Sequence, residues 1–167
     1  MYSARATLDI QQPPPTGQGS AENGQVRLRQ HFNPLARRWS KPVTLPDNWY
    51  ATAFVQPARQ LVLDVGVAKG RCLLRLAAAL PDCNFLGHEI RAPLVHQANR
   101  TAADAGLSNH FYAACNANVD LLAVLDAAPP AAVTDVYVQF GDPWFKNRQA
   151  KRSMVNNFLV VEIHTAL

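Results

Sequence analysis

The chain predicts an α/β fold built as a Rossmann-like, doubly wound parallel sheet. Three observations carry that expectation. From Leu61 onward, apolar runs of strand length alternate with stretches of helical period. Glycine or proline stands at many of the junctions. Polar residues, Asp64, Glu89, Asn116 and Asp142, close or follow the successive apolar runs, and that is the edge where such sheets bind ligands.

Each element has its own local reason. Leu61–Val65 is apolar apart from Asp64 and meets a turn at Gly66. Arg71–Leu80 spaces Leu73, Leu76, Ala77 and Leu80 along one helix face. Phe85-Leu86-Gly87 reads as a short second strand. Pro93 suits the first turn of a helix that turns Leu94, Val95, Ala98, Ala102 and Ala105 inward and closes at Gly106. Phe111–Cys115 reads as a third strand, Val119–Leu125 as a short helix and Val133–Phe140 as a fourth strand. A last helix gathers Val155, Phe158, Leu159, Ile163 and Ala166 on one side. Alternation of this kind joins parallel strands through right-handed crossovers.

Upstream the composition changes. Residues 1–25, with Pro13-Pro14-Pro15 among Gly, Ser and Gln, have the make-up of a flexible low-complexity tail. Residues 26–59 form a basic, aromatic N-terminal arm broken by Pro34, Pro42 and Pro46, and residues 60–167 form the domain proper. A chain of 167 residues with 49% hydrophobic and 17% charged content suffices for one packed domain. No apolar run approaches the roughly 18 residues of a membrane span, and no apolar leader opens the chain. The expected compartment is the cytoplasm, with a plastid as the alternative.

The formal charge of +4 points weakly to a polyanionic partner, and its placement strengthens the point. Arg27, Arg29, Arg37, Arg38 and Lys41 form one basic group; Lys146, Arg148, Lys151 and Arg152 form the other. Cys72, Cys83 and Cys115 lack metal-ligand spacing and read as reduced thiols packed inside, and the histidines show no zinc-site pairing. No metal is expected.

The chemistry-bearing residues each allow a structural reading beside the functional one. Gly66-Val67-Ala68-Lys69-Gly70 follows the first strand and lets a ligand approach the backbone, although it is not the G-x-G-x-x-G of dinucleotide sites. Glu89 lies where an acid could hold ribose hydroxyls, or could be a surface partner of Arg91. Asn116 could bond an adenine edge or serve as a turn residue. Pro143 disfavours helical geometry at Asp142 and so holds that acid extended at the lip of the fourth strand. Trp144 and Phe145 could stack on a base, an interaction of about 1–3 kcal/mol, or pack on the sheet. The cations from Lys146 to Arg152 read as the start of the last helix, where they would oppose its dipole unless an external anion answers them. His31 could act as a general base or be a hydrogen-bonded structural histidine.

Taken together, Arg27-Leu28-Arg29-Gln30-His31-Phe32-Asn33-Pro34-Leu35, Leu63-Asp64-Val65-Gly66, Asn84 through Arg91 and Asp142-Pro143-Trp144-Phe145-Lys146 resemble the tRNA (guanine-N7)-methyltransferase family, in its cyanobacterial and plastid-like form. The resemblance implies a class I methyltransferase fold and S-adenosylmethionine as cofactor. It implies a guanine of the tRNA variable loop as substrate. It assigns Asp64, Gly66, Gly70, Glu89, Asn116 and Asp142 to the cofactor and makes Asp142 the catalytic acid. It matches Lys146 to a tRNA-contacting position, beside which the basic stretch (Arg148, Lys151 and Arg152) and the arm (Arg29 and His31) are expected to contact tRNA.

The chain also departs from the family pattern. Gly141 stands where the family usually has proline, and Arg148-Gln149-Ala150-Lys151-Arg152-Ser153 is less basic than the usual stretch. Relatives continue beyond the last helix, so the sheet is expected to be incomplete, lacking the last strands. An open fourth strand would then invite a partner chain or self-association. Two rival readings stay open here: an inactive RNA-binding or partner protein that keeps the fold, and a methyltransferase acting on a small molecule.

Overall fold

The computed structural model describes residues 33–139 and 146–167. Within them lies a four-stranded, all-parallel sheet: β1 (Leu61–Val65), β2 (Asn84–Glu89), β3 (His110–Ala114) and β4 (Val133–Val138), in the order β3-β2-β1-β4. The chain steps outward from β1 to β3 and then returns to the other side of β1. That reversal makes the β1/β4 boundary the switch point, and the crevice beyond its carboxyl end is where this topology receives ligands.

Helices cover both faces. On one side α2 (Arg71–Ala79) and α3 (Ala92–Asp104) pack Leu73, Ala77, Val95 and Ala98 against Val62, Phe85 and Tyr112. On the other, α1 (Trp49–Ala53), α4 (Ala117–Leu125) and α5 (Asn157–Ala166) close over Leu61, Leu63, Val65 and Leu86. The strand alternation sorts β1 accordingly: Val62 joins the first core, and Leu61, Leu63 and Val65 join the second. The parallel sheet expected from the alternation is present.

Several local expectations are corrected. The packed body does not begin near Gln60. Trp49, Tyr50, Ala53 and Phe54 are buried in the main core, with Tyr50 and Phe54 rings 4.9 Å apart, so the end of the arm is part of the domain. Ala105 is the exposed C-cap of α3 rather than part of its inner face. α4 starts at Ala117, two residues before the expected Val119, because the Asn116 side chain accepts the Asn118 N–H and caps it. The face expected for α5 holds in part: Leu159 is buried and Ile163 and Ala166 pack against the core, but Phe158 is 80% exposed and Val155 precedes the helix. Cys72 is exposed, whereas Cys115 is buried as expected.

The two ends of the sheet differ. Every residue of β1 and β2 is buried, whereas in β4 only Val133 is. β4 pairs with β1 alone and forms an edge of the sheet among the described residues. No helix there is long and apolar enough to cross a membrane.

Candidate functional site

The carboxyl edge begins at Asp64. Its neighbours across the sheet are Gly87 on β2 and Tyr137 on β4, so it stands near the carboxyl end of β1, between the strands that flank the switch point. It is 2% exposed, and burial pushes its pKa up to about 6. Oδ2 receives a long contact from Gln139 Nε2 at 3.4 Å, while Oδ1 has no hydrogen-bond partner among the described residues. A buried acceptor left open in this way favours a ligand that brings a donor or a positive charge.

The turn after β1 is shaped to serve the same edge. Gly66, Ala68 and Gly70 all have positive φ, at 84°, 51° and 67°. Gly66 and Val67 donate their N–H groups to the His88 carbonyl, at 2.8 and 3.0 Å, which ties the turn to β2. Gly70 has a packing explanation: a Cβ there would lie 2.6 Å from the Tyr112 ring, whose hydroxyl donates to the Gly70 carbonyl at 2.8 Å. Gly66 faces a different neighbour. An added Cβ would lie 3.1 Å from Met154 Cε and 3.3 Å from its Sδ.

Glu89 ends β2 and is buried, so the surface-partner reading is half right. Arg91 does hold it, through Nε to Oε1 at 2.8 Å and Nη2 to Oε2 at 2.9 Å. The Arg91 and Ala68 N–H groups add one bond to each oxygen, both at 3.0 Å. This carboxylate is fully satisfied from within, unlike Asp64. Ribose hydroxyls could reach it only in exchange for one of these donors.

Asn116 follows β3, and its side-chain amide is committed elsewhere. Nδ2 donates to the carbonyls of Pro34 and Trp39 at 3.1 and 3.0 Å, and Oδ1 accepts from Asn118 at 3.2 Å. The structure therefore turns this amide to the arm and not to an adenine edge.

Asp142, Arg29 and His31 lie outside the described residues. The flanks of the Asp142 segment are described, and both touch β1's end. Gln139 reaches Asp64, and Met154 lies on Gly66. Between them, Asn147–Arg152 forms a separate 3-10 helix, and α5 starts only at Asn157, capped by Asn156. The basic group is thus not the N-terminus of the last helix, and the dipole argument for an external anion does not apply. Lys146, Arg148 and Lys151 are exposed and Arg152 is partly buried.

The fold therefore brings together Asp64, Gly66, Gly70 and Glu89 at one edge, and Lys146 to Arg152 come later in the chain, after β4. Sequence reasoning missed Gln139, Met154 and Asp120. The first two meet β1 only through the fold, and no local pattern marks them. Asp120 could have been found, because an acid four residues after a helix-capping Asn sits in the first turn of that helix.

Residues 58–167 match a protein family described as "Putative methyltransferase". Among curated proteins, the chain is 44% identical over 142 residues to a tRNA (guanine-N(7)-)-methyltransferase of Synechococcus elongatus, covering 85% of this chain and 66% of that one. It is 46% identical over 138 residues to the protein of the same name from Trichormus variabilis, covering 83% and 63%. The chain thus spans slightly less than two thirds of the length of these relatives. Among solved structures it is similar to the [4+2]-cyclase SpnF at 16% identity and a TM-score of 0.42, covering 72% of this chain and 54% of that one.

Proposed function

The chain belongs to this methyltransferase family, and from that premise we propose that it takes part in transferring a methyl group from S-adenosylmethionine to N7 of a guanine in the tRNA variable loop. One observation carries the reading furthest. Two described residues on either side of Asp142 in the chain, Gln139 and Met154, meet the two residues expected to serve the cofactor, Asp64 and Gly66.

The residues fit the cofactor at Asp64, whose Oδ1 is a buried acceptor without a partner among the described residues and is suited to an ammonium donor. The left-handed turn from Gly66 to Gly70 follows directly, with Met154 against Gly66 and Tyr112 against Gly70. Asp64, Gly66 and Gly70 would hold the methionyl end, and Glu89 would serve the ribose once Arg91 gives way. When bound, the cofactor supplies an electrophilic methyl group on a sulfonium sulfur.

The chain's own task is then orientation and charge. Guanine N7 is an unprotonated acceptor on the major-groove edge, so no base has to remove a proton from it. A carboxylate at Asp142 would fix the purine and favour the positive charge that develops on it. Lys146, Arg148, Lys151 and Arg152, together with Arg29 and His31 in the arm, would hold the phosphate backbone, which makes binding salt-dependent. The open edge of β4 offers a pairing surface to a partner chain or a second copy. The cytoplasm is the expected compartment, with a plastid as the alternative.

The test is methyl transfer from labelled S-adenosylmethionine to unmodified tRNA, with the product mapped by strand cleavage specific to N7-methylguanosine. The reading expects cleavage at the variable-loop guanine and a loss of about a hundredfold in Asp142→Asn. A folded preparation that binds tRNA but transfers nothing would favour a non-catalytic binding protein. Near-full turnover in Asp142→Asn would remove that residue from catalysis.

A further inference from the structure

We propose that Asn116 and Asp120 form a clasp that positions the basic N-terminal arm at the cofactor edge for tRNA binding. The inference rests on the tRNA reading above, and it turns on bonds that the expected cofactor role of Asn116 leaves unexplained.

Asn116 Nδ2 donates to two arm carbonyls, those of Pro34 and Trp39. Asp120 completes the grip: Oδ1 accepts the Val43 N–H and Oδ2 accepts the Asn116 N–H, both at 2.9 Å. Pro34, Trp39 and Val43 are thus tied to the end of β3 and the first turn of α4. Val43 and Leu45 add apolar contact by packing against the main core.

Asp120 is 1% exposed and has no salt-bridge partner among the described residues. A buried carboxylate without a cation is costly, and here only backbone N–H groups compensate for it. An apolar residue would serve a purely packing role at less cost. What the carboxylate provides is a fixed path for the arm. Every bond from the clasp to the arm goes to its backbone, and none engages the side chain of Arg37 or Lys41. Arg37 and Lys41, both exposed, lie between the tied points, and Arg29 and His31 lie just upstream. The same clasp touches the cofactor edge, because the Cys115 N–H, next to Asn116, donates to the Glu89 carbonyl at 3.2 Å.

Two variants separate the grip from the fold. Asn116→Ser keeps a helix-capping hydroxyl but cannot reach the Pro34 and Trp39 carbonyls. Asp120→Asn retains shape and loses one of two acceptors. In the full chain, both should speed tryptic cleavage after Arg37, with a cooperative melt retained. Both should also weaken tRNA binding by about tenfold, since the arm must then be ordered on binding, while the dissociation constant for S-adenosylmethionine stays within about twofold. Loss of cofactor binding with tRNA affinity intact would return Asn116 to the cofactor and overturn the proposal. So would cleavage rates equal to the wild type. A wild-type chain that binds no tRNA would overturn both this proposal and the functional reading, whereas a clasp failure with wild-type tRNA binding would count against the clasp alone.

Discussion

The two sides of β1 are finished differently. Toward β2 and β3 the sheet is sealed: each residue of β1 and β2 is buried, and Tyr112 fills the space beside Gly70 and Gly87. Toward β4 it is open among the described residues, with Tyr137 42% exposed; α5, packed on α4, carries exposed Phe158, Val160 and Val161. The described residues expected to hold a cofactor stand on the sealed side or on β1 itself. Asp142 and the basic group come after β4 in the chain. A site that must be rigid toward one ligand and accessible to a large one is served by that asymmetry.

The comparison can be broken most visibly in the core. Leu63→Ala, at a fully buried position of β1, should cost about 2–5 kcal/mol, whereas Phe158→Ala should change stability by less than about 0.5 kcal/mol. Denaturant unfolding of both variants measures the difference, and equal losses would mean that the α5 surface is covered in solution.

A second pair isolates packing from backbone strain. Gly70 and Gly106 have nearly the same left-handed φ, 67° and 68°, but a Cβ at Gly106 would meet nothing within 4 Å. Gly106→Ala should cost only the left-handed penalty of about 1–2 kcal/mol. Gly70→Ala adds the collision with Tyr112 and should cost roughly 2–4 kcal/mol.

His88 sharpens the sealed side. Both ring nitrogens are buried without hydrogen-bond partners among the described residues, and burial lowers its pKa to about 4. A depressed pKa means that folding favours the neutral ring. Its share of stability is therefore present above the unfolded value of about 6.5 and is lost as pH falls toward 4. His88→Leu should raise stability near neutrality by about 1 kcal/mol and flatten the acid loss between those limits. Asp64 runs the other way: its raised pKa makes the burial cost of its charge full above about pH 6, and that cost disappears as pH falls below it.

The smallest effect concerns the open side. Phe158→Ser and Val161→Ser should leave the fold intact and reduce concentration-dependent association in sedimentation, because exposed apolar surface favours self-contact. A wild-type chain that stays monomeric at all concentrations would contradict the expected association.

The sealed side was legible in the sequence because its signals are local. Apolar runs, helix-period spacing and the turn at Gly66 marked β1, α2, β2 and α3 with only small errors of boundary. The open side and the arm were less legible because their positions depend on contacts distant in the chain. Trp49, Tyr50 and Phe54 carry no periodic signal and become core only when α4 and β1 arrive beside them. The cations near Arg148 looked like the start of α5 because nothing local announces the separate 3-10 helix. Asn116 was placed correctly at the edge, but its partners, Pro34 and Trp39, lie far upstream in the arm.

Buried at the switch point with Oδ1 open among the described residues, Asp64 would receive the positive end of the cofactor. Calorimetric titration of S-adenosylmethionine into the wild-type chain and Asp64→Asn at several pH values decides this. A carboxylate with a pKa of about 6 in the free protein must lose its proton to bind a cation. Wild-type affinity should therefore fall by about tenfold per pH unit below about 6, with proton release on binding. Asp64→Asn should bind more weakly at neutral pH and show no such slope. Equal, pH-independent binding by both proteins would contradict the account.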